Sequence, residues 1–430
     1  MTPPKNHLAE TRPGGFEILP AHADAATEVH PGIYLSPGLS NAYLVVTPAG
    51  RVVINTGMGF EAPVHRRNFD AVSSAPIRYI LLTQGHTDHV GGVDLFREAQ
   101  TEIVAQARNR ACQADDARIH RFRVRRSAVF WREAIRKATA HAQSPGGASG
   151  PSAQSRPEPT RVFGDHWDFE LGGRRFELLA TPGGETLDSM AIWLPDSRVA
   201  FVGNQFSALF PHFPNLVTLR ADRPRSALRY LESLERIRAL EPELLLTGHF
   251  GPIRGQATIR RALDDLEAAV RHVHDETVDG MNAGRSLPEL MREIRLPDSL
   301  DVGEGYGRVS WSVRTIWEEY AGWFQHESTT ELYGVPPRDA YPELAQLAGG
   351  AGPLSRRAGE LLGAGEPEKA LHLVEVALSN EPTAVDALRM QLAILEHLRE
   401  RGQKKNFWEH GWLQNEIYRT RKALEGTTPT

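Results

Sequence analysis

The sequence predicts an α+β protein: a mixed sheet-and-helix domain to about residue 255, then a helical domain. Three observations carry this. Short β-rich runs punctuated by Pro and Gly fill the first half. Two buried strands run straight into polar loops, "LLTQGHTDHVGG" (81–92) and "LLLTGHFGP" (244–252), and the carboxyl ends of strands are where such folds place ligands. From about residue 256 the apolar pattern is helical nearly throughout.

The elements follow in order. Residues 1–26 form an N-terminal extension whose opening, "MTPPKNHLAETRPGG", lacks the apolar run of a secretory signal. "NAYLVV" (41–46) and "RVVINTG" (51–57) flank "TPAG" and predict a hairpin. "IRYILLTQG" (77–85) predicts a buried strand entering a loop, and "GGVDLFREA" (91–99) a helix start. Residues 105–143 are basic and helical in pattern, with Arg121, Arg123, Arg125 and Arg126 read as a solvated helix face. The segment at about 144–160, "SPGGASGPSAQSRPEPT", has no apolar periodicity and predicts a mobile loop. Strand signals resume in "WDFELGGRRFELLATPGG" (167–184), "SMAIWLP" (189–195) and "RVAFVGN" (198–204), and "RSALRYLESLERIRAL" (225–240) predicts a helix. Residues 27–255 thus form one domain, 256–296 connecting helices, and 297–430 a helical domain that contains one helix pair at 367–402.

Composition narrows the function classes. The 430 residues are 40% hydrophobic and 24% charged, ordinary for a water-soluble chain. The 49 basic and 54 acidic residues leave a formal charge of −5, with no pull toward nucleic acid or anionic lipid. Cys112 is the only cysteine, which rules out an internal disulfide and cysteine-based zinc ligation and suits a cytoplasmic setting. No apolar run approaches the roughly 20 residues of a membrane span.

Candidate metal ligands lie on separate loops. The first loop offers Gln84, His86, Asp88 and His89; "TPGGETLDS" offers Glu185; "FVGNQ" offers Asn204; "TGHFGP" offers His249. Imidazole nitrogen and carboxylate oxygen suit zinc, manganese or ferrous iron, and the missing thiolates argue against a purely structural zinc. Such a shell leaves an open position for water, which a divalent cation turns into hydroxide near neutral pH.

The order of these loops resembles the metallo-β-lactamase superfamily, whose first motif is His-x-His-x-Asp-His. The resemblance is closer to its alkylsulfatase branch. "TPGGETLDSM" is similar to that branch's Thr-Pro-Gly-Thr-Glu segment, in which Glu replaces a ligand His. "NLVTLR" (215–220) is similar to its Asn-Leu-Tyr-Thr-Leu-Arg stretch, whose Arg binds sulfate. "VRTIWEEYAGWF" (313–324) is similar to a segment of its dimerisation domain. The resemblance covers roughly residues 27–425. It implies an αββα sandwich followed by an all-α dimerisation domain, with no sterol-carrier-like C-terminal domain. It implies one metal site from Gln84, His86 and Glu185 and another from Asp88, His89 and His249, with Asn204 at the bridging position.

Departures from the family pattern shape the expectation. Gln84 stands where a His is usual, and Asn204 where a bridging carboxylate is usual, so the first site loses charge and binds a cation less well. Asn55 replaces a family Asp that orients ligands. Trp311, in "GYGRVSWS", stands where the family carries a His near the sulfate, beside Tyr306. The resemblance makes Arg220 the binder of the substrate's anionic group, with Trp311 and Tyr306 in the substrate pocket. His212, in "FPHFP", is a candidate replacement acid. The expected function is a metal-dependent hydrolase of a small anionic ester, a sulfate ester foremost, with Asp88 ligating or orienting the hydroxide. Zinc is the first expectation for the metal, at one or two per chain, with iron or manganese as alternatives. A homodimer is expected. The rival readings are a mononuclear non-haem iron oxygenase on the same scaffold and a binding protein with a decayed metal site.

Overall fold

A computed structural model gives the architecture and describes residues 7–142, 153–217 and 219–427. The chain divides into two compact units, Met1–Glu319 and Tyr320–Thr430.

The first unit contains two sheets. One has seven strands in sequential order: β1 (Thr27–His30), β2 (Ile33–Ser36), β3 (Ala42–Thr47), β4 (Gly50–Ile54), β5 (Ile77–Leu82), β6 (Glu102–Gln106) and β7 (Arg161–Phe163). Its first four strands are antiparallel, and β4 through β7 run parallel. The predicted hairpin is β3–β4, with Thr47 opposite Gly50. The other sheet is ordered β13-β12-β11-β10-β9-β8, from β8 (His166–Leu171), β9 (Arg174–Ala180), β10 (Met190–Leu194), β11 (Val199–Gly203), β12 (Leu244–Thr247) and β13 (Ile253–Arg254). The strands β4, β10 and β11 are buried along their whole length, as strands covered on both faces must be.

The layers follow from the apolar patterns. Val45, Ile54, Leu81 and Val104 of the first sheet meet Phe176, Leu178, Ile192 and Phe201 of the second in the central core. The outer face of the first sheet packs Leu44, Val53, Ile80 and Leu82 against α2 (Ala62–Val72), α3 (Thr87–Val90) and α4 (Val93–Phe96), through Phe69, Val90 and Phe96. After β6 come α5 (Asn109–Arg118) and α6 (His120–Ala142). The outer face of the second sheet packs against α7 (Ala227–Ala239) and α8 (Gln256–Asn282). The result is the expected αββα sandwich. In α8 the buried residues Ile259, Ala262, Leu263, Leu266, Ala269, Val270 and Val273 recur at helical spacing and form one apolar face. The helices α9 (Leu287–Glu293) and α10 (Val309–Ala321) add Leu290, Val309, Val313 and Ile316 to the same core. Sequence reading ends this domain near residue 255. The compact unit instead runs to Glu319, because these helices bury their apolar faces in it.

Two loop expectations change. Residues 144–152 lie outside the described residues. The rest of the segment read as mobile is held by specific bonds: Gln154 accepts from Gly59 N (3.0 Å) and donates to Thr87 O (2.8 Å), and Ser155 N donates to Gly91 O (2.8 Å). Backbone partners distant in sequence supply the order that local periodicity cannot reveal. The basic helix face also does more than meet solvent: Arg123 pairs with Asp222, and Arg126 Nε donates to Leu219 O (3.0 Å), while Arg121 and Arg125 are exposed.

The second unit is helical: α11 (Tyr341–Leu347), α12 (Ala351–Gly363), α13 (Pro367–Asn380), α14 (Val385–Arg401) and α15 (Phe407–Thr427). Ala358, Ala370, Val374 and Ile394 knit α12, α13 and α14 together, and Leu395, Leu413 and Ile417 join α14 to α15. Leu347, Tyr333 and Trp323 stay largely exposed, at 86%, 67% and 65%.

Candidate metal centre

Five strand ends bring the candidate residues to one edge of the sandwich. Asn55 follows β4; Gln84, His86, Asp88 and His89 follow β5; Glu185 follows β9; Asn204 follows β11; His249 follows β12. The β5 loop is anchored at its first residue. Thr83 N donates to Asn55 Oδ1 (3.0 Å), and Asn55 Nδ2 donates to Thr83 Oγ1 (3.0 Å). Asn55 adopts the left-handed region (φ 58), which Asn tolerates better than most residues. The His249 loop is held from several sides. Asn41 Nδ2 donates to Thr247 O (3.1 Å) and Phe250 O (2.7 Å), and Tyr43 OH donates to Thr247 O (2.6 Å). The N-terminal extension contributes Arg12, whose guanidinium donates to His249 O (3.3 Å) and Gly251 O (3.1 Å).

Asp88, His89 and His249 form one half of the centre. His89 is fully buried, with Nδ1 3.1 Å from Ser40 Oγ and Nε2 3.5 Å from Asp88 Oδ2. Burial pushes the His249 imidazole down to about 4, partly offset by the Asp88 charge. Its Nδ1 is buried and has no hydrogen-bond partner among the described residues. Burial raises the Asp88 carboxyl, but the surrounding His89, His86, His249 and Arg220 hold it below the usual range. A carboxylate and two imidazoles, one with an unused buried nitrogen, are donors of the kind that suits a divalent cation.

Gln84, His86, Glu185 and Asn204 form the other half, and they bond to each other. Glu185 Oε2 accepts from Gln84 Nε2 (2.7 Å) and Asn204 Nδ2 (2.9 Å) and stands 3.4 Å from His86 Nδ1. Burial disfavours charge on His86, but Glu185 and Asp222 push its imidazole up to about 9. Burial also disfavours charge on Glu185, which His86 and Arg225 nonetheless keep well below the carboxylate range. Among the described residues no three His, Cys, Asp and Glu side chains are gathered in a metal-holding group, in this half or around Asp88, His89 and His249. The donors of this half are turned toward one another.

A charge cluster flanks this second half. Asp222, 5% exposed, pairs with Arg220 Nε (3.1 Å), Arg225 (3.5 Å) and Arg123, and lies 4.0 Å from His86 Nε2. Arg220 remains 20% exposed. Tyr306 lies among Arg220, Glu185 and Arg225, and burial raises its phenol. Trp311 carries the Arg308 guanidinium 5.6 Å from its ring centre. His212 has both ring nitrogens engaged by backbone: Gly305 N–H donates to Nδ1 (3.0 Å), and Nε2 is 3.1 Å from Ala9 O. The ring fastens a loop to the short N-terminal helix α1 (His7–Thr11), which corrects its reading as a replacement acid.

Sequence reading missed Ser40, Arg225 and Glu61. Buried Glu61 accepts from Ala21 N (2.9 Å), Leu39 N (3.0 Å) and Met58 N (3.0 Å), tying together three segments beside the centre. Arg225 lies five residues after Arg220, a signal the motif's own boundary hid.

Residues 35–249 match the family model of the metallo-β-lactamase superfamily, and residues 286–417 match the alkyl sulfatase dimerisation family. The chain belongs to the metallo-β-lactamase superfamily, in an alkylsulfatase-like branch. It is 28% identical over 336 residues to a linear primary-alkylsulfatase of a Pseudomonas species, covering 74% of this chain and 62% of that protein. It is 23% identical over 355 residues to an alkyl/aryl-sulfatase of Saccharomyces cerevisiae, covering 79% and 54%. The chain therefore spans less than two thirds of the length of these relatives. A solved structure of a stereoselective inverting sec-alkylsulfatase from a Pseudomonas species superposes with a TM-score of 0.77 at 20% identity, covering 95% of this chain and 66% of that one. At that identity the likeness speaks for the fold. Membership of the superfamily implies a divalent metal. Among the described residues no helix is long and apolar enough to cross a membrane.

Proposed function

We propose that this protein is a metal-dependent hydrolase of sulfate esters. The observation that carries the reading is Arg220, fixed by buried Asp222 and partly open to solvent, beside the loops that bear the His and Asp ligands. Its planar fork matches a sulfate group with two parallel hydrogen bonds. The curated relatives, named as alkylsulfatases, support the same class, and no comparison favours an oxygenase or a binding protein.

Asp88, His89 and His249 would hold the divalent cation, zinc foremost, with iron or manganese as alternatives. When bound, that cation supplies an activated water and positive charge against the oxygen that becomes anionic. Ser40 orients His89, and Arg12, Asn41 and Tyr43 fix the His249 loop. Arg220 binds the sulfate, and Tyr306 with Trp311 bounds the substrate pocket. The partner is a small anionic ester; the match over residues 286–417 supports a homodimer, and the single cysteine suits the cytoplasm.

Matched linear alkyl esters of sulfate, phosphate and a carboxylic acid, offered to metal-loaded protein, test the substrate class. Sulfate ester hydrolysis is expected to be at least about tenfold faster than the others, a difference of roughly 1.4 kcal/mol in barrier. Faster turnover of the phosphate or carboxylic ester would overturn the sulfate assignment.

A further inference from the structure

The Glu185 carboxylate is surrounded by donors from its own chain. Gln84 Nε2 (2.7 Å) and Asn204 Nδ2 (2.9 Å) both donate to Oε2, and Arg225 NH2 stands 3.3 Å from Oε1. Glu185 and Arg225 are each 4% exposed at the side chain, so water does not replace these partners. A carboxamide nitrogen has no lone pair to give a metal; only its oxygen can ligate. Here both amides turn their nitrogens to the carboxylate. Asn204 Oδ1 points instead toward Gly248, buried and with no hydrogen-bond partner among the described residues. The reverse orientation would set an amide oxygen against a carboxylate oxygen, two acceptors at hydrogen-bond distance. A cation among Gln84, His86 and Glu185 must therefore break two buried hydrogen bonds to the carboxylate and compete with the fixed charge of Arg225. In the other half the Asp88 carboxylate faces only His89 Nε2 (3.5 Å), itself a candidate ligand, and His249 Nδ1 has no hydrogen-bond partner among the described residues.

We propose that Gln84, Asn204 and Arg225 together take the place of a cation at Glu185. The protein then holds a single metal, at Asp88, His89 and His249, with Glu185 as a fixed counter-ion rather than a ligand. This rests on the metal-dependent reading given above.

Elemental mass spectrometry tests it on protein incubated with excess zinc and desalted. The samples are wild type, the double variant Gln84→His with Asn204→Asp, and Glu185→Gln, each checked for a cooperative melt. The expected contents are one equivalent per chain in wild type, two in the double variant and one in Glu185→Gln. Two equivalents in wild type, a folded double variant with no gain, or loss of zinc in Glu185→Gln would each overturn the proposal. If the double variant does not fold, the other two samples decide. A wild type without zinc would remove the metal-dependent reading itself. A one-equivalent gain in the double variant would then still uphold the role of the amides, and zinc in neither would overturn it.

Discussion

Arg225 grips Glu185 at two points: its Nε donates to the Glu185 backbone carbonyl (2.8 Å), and its NH2 stands 3.3 Å from the carboxylate. The guanidinium thereby fixes both the turn after β9 and the charge that the turn presents. Replacing Arg225 with Met keeps bulk but removes the guanidinium from buried Glu185, leaving His86 as the cation beside it. Losing one partner of a buried pair typically costs about 3–5 kcal/mol. Urea denaturation of Arg225→Met should show a loss of that order, and a loss below about 1 kcal/mol would mean the pair is not holding the turn.

Arg220 acts on the substrate's charge. Charged hydrogen bonds contribute about 1.5–3 kcal/mol each. Arg220→Ala should therefore raise KM for an alkyl sulfate roughly ten- to a hundredfold, and added salt should narrow the gap between variant and wild type. An unchanged KM would place Arg220 with the structural ion pairs.

Ser40 and Arg12 act on ligands rather than on substrate. Outer partners of this kind typically change metal affinity by about 10–100-fold. Ser40→Ala should weaken zinc binding through His89, and Arg12→Ala through the His249 loop, in competition titrations with a chelator. Equal affinities in wild type and both variants would contradict the proposed ligand set.

His65 gives a pH signature independent of substrate. Burial pushes its imidazole down to about 3 from an ordinary 6.5. Between those values the unfolded chain binds a proton that the folded chain refuses. Its contribution to stability is therefore full above about 6.5 and is lost as pH falls, at roughly 1.4 kcal/mol per pH unit. Melting temperatures between about pH 4 and pH 7 should fall less steeply in His65→Gln than in wild type. Parallel curves would show that His65 does not titrate this way.

Much of the scaffold was legible because its strands are apolar runs bounded by turn residues. The β3–β4 hairpin and the strand before "QGHTDH" both follow from local pattern. So did the positions of His86, Asp88, His89, Glu185 and His249 at strand ends. What stayed hidden depends on contacts far apart in sequence. Ser40 meets His89 across 49 residues, and Arg12 reaches the His249 loop across 237. The orientation of the Gln84 and Asn204 amides depends on Glu185 lying between them, which no spacing rule encodes. The first unit extended past residue 255 for a similar reason, since the apolar face of α8 is visible in sequence but its partner sheet is not.

The measurement closest to the central claim is inorganic sulfate released from a linear alkyl sulfate, read by ion chromatography. Wild type and His89→Ala would be compared, each loaded with zinc and each stripped by chelator. Sulfate release by loaded wild type alone is the predicted result. Release that persists unchanged after stripping or in His89→Ala, or none from loaded wild type, would contradict a metal-dependent sulfate-ester hydrolase.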